Sequence, residues 1–167
     1  MSRDVLRSRV YAAEQQVTSA LSRAGERIDF FGSQLTPPSE LAFTTLSDVR
    51  TYVASVLADH RVAQIWGYLP PVHVRRRASD SMAHYEYETA TIAIPTGSEW
   101  AMRELVVLHE LAHHVLANSQ PTVAAHGPEF ASAYIQLVSL RIGPEAGLLL
   151  TAAFDSCGVE VSAVKSA

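Results

Sequence analysis

Residues 103–117 read Arg103-Glu-Leu-Val-Val-Leu-His109-Glu110-Leu-Ala-His113-His114-Val-Leu-Ala117, a run without glycine or proline. An α-helix turns about 100° per residue, so a spacing of four sets His109 and His113 on one face, a turn apart. Leu105, Leu108, Leu111, Ala112 and Val115 form an apolar arc around the rest of the helix. The stretch therefore reads as a buried helix with polar groups set into it. Buried imidazoles and carboxylates are costly unless they are paired or coordinated. Coordination is the simplest account of this pattern.

His-Glu-x-x-His on a helix is the arrangement in which two imidazoles share one Zn²⁺ and the glutamate serves as general base. His109 and His113 are accordingly the expected metal ligands, and Glu110 the expected catalytic residue. Zn²⁺ lowers the pKa of a bound water from 15.7 to about 7 and polarises a scissile carbonyl, and Glu110 would take the proton and pass it to the leaving group. His126 is the expected third ligand, leaving a fourth position for water. It follows Asn118-Ser119-Gln120-Pro121, whose turn chemistry lets the chain reverse, and Gly127 beside it permits close backbone approach. Its rival is Glu129, which would complete a His₂Glu set. The other reading of Glu129 is an acid placed at a helix N-terminus by the macrodipole.

His114 points about 100° away from His113 and is read as a structural or supporting residue. His60, His73 and His84 lack ligand spacing. Tyr85 and Tyr87 could face the cleft and stabilise an oxyanion, against the plainer reading of strand aromatics. The strand Thr91–Ile94 could pair with an extended peptide, which favours a peptide or protein substrate. Arg75-Arg76-Arg77 is the one local basic cluster and reads as a solvated strand end, so nucleic acid is not an expected partner.

Composition agrees with one globular domain over residues 1–167: 48% hydrophobic and 18% charged residues in a chain of 167. A net charge of −4 gives no basic field to gather nucleic acid. Cys157 is the single cysteine, which excludes an intramolecular disulfide and a cysteine-based zinc ribbon, and it reads as a small filler. No apolar signal segment or membrane span is legible, so the expected location is cytoplasmic with no membrane partner.

Outward from the motif, the expected class is α+β. A first helix runs from about Arg3 to Ala24, capped by Ser2 and ended by Gly25, and residues 32–39 form a loop. A second helix runs from Ser47 or Asp48 to about Asp59. Three short strands follow near Val72–Arg76, Ala83–Tyr87 and Thr91–Ile94. Thr96 and Glu99 match a capping box for the histidine-bearing helix. Gly127-Pro128 opens another helix that ends at Gly143-Pro144, and a last helix reaches about Ala153.

Leu108-His-Glu-Leu-Ala-His-His114 together with His126-Gly-Pro-Glu-Phe130 resembles the SprT-like and WLM metallopeptidases, which carry a third histidine in a similar setting. That resemblance covers about Val72 to Ile142. Over nearly its whole length, from Ser2-Arg3-Asp4-Val5 through Tyr11-Ala12-Ala13-Glu14, the chain resembles a group of small HExxH metallohydrolases from actinobacteria and their phages. The resemblance implies a zincin-like fold, a zinc cofactor held by His109, His113 and His126, and hydrolysis of peptide bonds. Two other readings stand beside it: a non-catalytic zinc-containing module that binds a peptide or partner, and a protease acting on DNA-bound proteins.

Overall fold

The computed structural model describes residues 5–79 and 81–163. Along the chain these form α1 (Val5–Leu21), β1 (Ile28–Phe30), β2 (Ser33–Leu35), α2 (Leu46–Leu57), α3 (His60–Trp66), β3 (His73–Arg76), β4 (His84–Glu86), β5 (Thr91–Ile94), α4 (Glu104–Ser119), α5 (Pro128–Arg141) and α6 (Pro144–Ser156). The class is α+β, with a three-stranded sheet as expected. The expected Ser2 cap and Arg3 start lie outside the described residues. Among the described residues no helix is long and apolar enough to cross a membrane.

Two compact units make up the chain. One comprises the described residues up to Ser39 and those from Thr122 onward. In it α1 buries one stripe, Val10, Ala13, Val17, Ala20 and Leu21, and packs on α6, which packs in turn on α5. The α5–α6 approach is close at Gly147, where an added Cβ would stand 1.9 Å from Ser139 Oγ and 3.0 Å from Ser139 Cβ. Pro128 and Pro144 occupy first-turn positions of α5 and α6, where a missing N–H leaves no helical bond unmade. The expected ends of these helices hold to within three residues.

Two expectations in this unit are corrected. Helix α1 ends at Leu21, and the chain continues in turns to Gly25, whose φ of +83° suits glycine. Residues 32–39 are not all loop, because Ser33–Leu35 pairs antiparallel with Ile28–Phe30. The hairpin turns at Phe31 and Gly32, both with positive φ (51° and 83°), the combination that matches the twist of a two-residue hairpin loop. Phenylalanine carries no turn signal at that position, which is why the hairpin is hidden in the sequence.

The other unit is Glu40–Pro121. Its three-stranded sheet has the order β3-β5-β4, with β3 parallel and β4 antiparallel to β5. Strand β5 is therefore central, with both sides paired. This corrects the expectation that Thr91–Ile94 could receive an extended peptide. The sheet edge next to α4 is β4. Arg75 on β3, in register with Ala93 of β5, pairs diagonally across the sheet with Glu86 on β4, which is in register with Thr91.

Helix α2 starts at Leu46, with Thr45 as its cap rather than Ser47 or Asp48. The Thr45 hydroxyl accepts from the Asp48 N–H and the Asp48 carboxylate accepts from the Thr45 N–H, a reciprocal capping box. The expected end at Asp59 is instead the N-cap of α3, a short helix with no strong periodic signal.

Candidate metal centre

Helix α4 is buried on every side from Val107 to Leu116, more completely than a single apolar arc would require. Its N-terminus is secured from a distance. The expected Thr96–Glu99 capping box does not form, since the helix begins at Glu104 and Arg103 makes no side-chain cap bond. Instead Glu40 Oε2 accepts from the Leu105 N–H at 3.0 Å, and Glu40 also pairs with Arg103. A carboxylate at a helix N-terminus is favoured by the aligned peptide dipoles and by unbonded N–H groups. Glu104 is 3% exposed and is satisfied by the Tyr52 hydroxyl at 2.6 Å and the Leu41 N–H at 2.8 Å. These partners lie more than 50 residues away, and no local pattern announces them.

Within this helix His109 and His113 turn their Nε2 atoms towards each other, 3.3 Å apart. Two nitrogens on one tetrahedral metal at 2.0–2.1 Å stand about 3.3–3.4 Å apart, so the spacing fits a shared ion. Glu110, 3% exposed, lies on the same helix. His126 is buried beside Phe130 and Tyr11, with ring centroids at 5.0 and 6.2 Å. Next to it Gly127 is constrained by a close approach: an added Cβ would meet Ala124 Cβ at 3.1 Å.

His109, His113 and His126 form a group in which each residue offers a ligand atom within 4.8 Å of the others. They are close enough to hold one metal ion. Three imidazoles suit zinc, copper, iron or nickel and not the hard cations that prefer oxygen. Glu129, in the first turn of α5, is outside the group. So are His60, His73 and His84; His84 Nε2 lies instead 3.2 Å from Glu86 Oε1.

No family model, curated protein or solved structure matches the chain.

His114 is fully buried and carries a structural role, in line with the sequence reading. Its Nε2 lies 2.8 Å from the Pro70 carbonyl, and a carbonyl can only accept, so Nε2 carries the proton. Nδ1 is then free to accept from the Tyr85 hydroxyl at 2.9 Å. Burial, partly offset by the Pro70 hydrogen bond, pushes the His114 pKa down and so favours the neutral ring that this geometry needs. Tyr85, 7% exposed, therefore faces His114, and its hydroxyl is engaged there rather than in a cleft. Burial, with a smaller contribution from Tyr87, pushes its phenol up to about 12.

Tyr87 is 54% exposed and places its hydroxyl 3.0 Å from His113 Nδ1. Burial of the phenol group first, and the Glu110 carboxylate second, raise its pKa, so the phenol keeps its proton at neutral pH. Tyr85 lies on β4 and Tyr87 in the turn just beyond its end, so their contacts with successive histidines come from the way the chain leaves the strand. Arg75 pairs with Glu86, and Arg77 donates to the Met82 carbonyl. Cys157 terminates α6 and accepts a long hydrogen bond from Gln16 at 3.6 Å.

Proposed function

We propose that the chain is a zinc-dependent metallohydrolase of zincin type, and specifically a metallopeptidase. The observation that carries this reading is the buried three-histidine group with a buried glutamate directly following the first ligand. His109, His113 and His126 would hold the zinc. Three protein ligands with an adjacent carboxylate favour a catalytic site over a structural one, which closes all four positions with protein. Zinc, when bound, supplies Lewis acidity, polarising a carbonyl and making water a nucleophile near neutral pH.

Glu110 is the general base that takes a proton from the attacking water and returns it to the departing amine. It is buried on α4, next in sequence to His109 and away from bulk water. Peptides are the favoured substrate class because β4, the edge of the sheet, lies against α4. An extended chain could add its main-chain hydrogen bonds along that edge.

The test is a pair of measurements on Glu110→Gln. Protein purified without added metal should carry one zinc per chain, and the variant should retain it. Cleavage of an unstructured protein substrate should fall by about 10²–10⁴-fold, the range for loss of a general base. Substoichiometric metal in the unaltered protein, or full activity in the variant, would overturn the reading.

A further inference from the structure

Resting on the zinc reading, we propose that Tyr87 is the positioning residue for His113, and that Tyr85, His114 and the Pro70 carbonyl hold Tyr87 in place. His113 has two ring nitrogens with separate duties. Nε2 faces His109 Nε2 at 3.3 Å and is the atom available to a metal, which requires a lone pair there. Nδ1 must then carry the ring proton, and the Tyr87 oxygen 3.0 Å away is its acceptor. A hydrogen bond at this position fixes the tautomer and the ring plane and makes the ligating nitrogen more basic.

Tyr87 is more than half exposed, so something other than burial must hold its ring. The structure supplies a chain of contacts from the backbone outward. The Pro70 carbonyl accepts from His114 Nε2, His114 Nδ1 accepts from the Tyr85 hydroxyl, and the Tyr85 ring meets the Tyr87 ring edge-on at 5.0 Å. Edge-to-face contact at that separation is favourable and directional. The fully buried His114, which lies outside the three-histidine group, thus gains a purpose: it anchors Tyr85 on β4, against which the Tyr87 ring in the following turn rests. The role assigned to Tyr87 acts through His113 and needs no contact with substrate.

The experiment compares the unaltered protein with Tyr87→Phe. Zinc affinity is read by competition with a chromophoric chelator, and the His113 Nδ1 proton is followed by NMR in the zinc-loaded protein. The phenylalanine keeps the ring contacts and removes only the acceptor. Affinity should fall about 10–100-fold, as when other supporting partners of metal-bound histidines are removed. The Nδ1 proton should exchange faster with solvent, while thermal unfolding of the metal-free protein is unchanged. Unchanged affinity or unchanged proton exchange overturns the proposal. His113→Ala, measured alongside, separates this from failure of the zinc reading. If that variant still binds zinc as the unaltered protein does, the site itself is wrong; if it loses zinc and Tyr87→Phe does not, only the role of Tyr87 is wrong.

Discussion

Tyr52 donates its hydroxyl proton to Glu104 Oε1 at 2.6 Å, joining the middle of α2 to the first residue of α4. Both side chains are buried, so removing the donor leaves a carboxyl oxygen short of a partner away from water. Tyr52→Phe should therefore destabilise the protein by about 1–3 kcal/mol, the usual cost of a buried acceptor left unsatisfied. Urea unfolding of both proteins would measure it, and a change below about 0.5 kcal/mol would show that Glu104 finds another donor.

The third ligand is decided by a paired substitution. His126→Ala should weaken zinc binding severely, whereas Glu129→Gln should leave it within a factor of two or so, since Glu129 lies outside the histidine group. Elemental analysis after dialysis reads both, and metal loss in Glu129→Gln alone would move the ligand role to the carboxylate.

Gly147→Ala should cost about 1–3 kcal/mol, because the new methyl group collides with Ser139 and the α5–α6 contact must open to admit it. Its companion Gly147→Ala/Ser139→Ala removes the closest atom, Ser139 Oγ, and should recover part of the loss. Calorimetric melting temperatures would show the order directly.

The Arg75–Glu86 pair makes a prediction in acid. Hydrogen bonding by Arg75, then by His84, holds the Glu86 carboxyl at about 2, below its ordinary 4.5. A carboxyl depressed in the folded state stabilises fully above the unfolded pKa, and that contribution is lost as pH falls from 4.5 towards 2. The pair lies at the surface, so its worth is at most about 1 kcal/mol and shrinks with salt. Stability of metal-free Glu86→Gln should converge on that of the parent as pH drops through this window; a constant difference would contradict the assignment.

The sequence made α4 and its two facing histidines legible because spacing, apolar content and freedom from breakers agreed over a full four turns. Gly-Pro pairs made α5 and α6 legible for a local reason, since each places a helix-compatible proline after a residue outside the helix. The hairpin at Phe31-Gly32 escaped because its turn uses a residue without turn propensity. Helix α3 is a single short element whose cap, Asp59, also fits the end of α2. The support of α4 by Glu40 and Tyr52, and of His113 by Tyr87, joins residues 26 to 65 positions apart. Such pairings are products of packing, and no window along the chain contains them.

The centrality of β5 limits how this protein can change. A strand paired on both sides and buried at all four residues cannot be lengthened, bulged or recoded without disturbing two neighbours at once. Change is consequently less constrained on the other edge strand, β3, where three of four residues are exposed, while the strand leading towards α4 stays fixed. Drift in the sequence would rewrite that margin of the sheet and leave its middle alone.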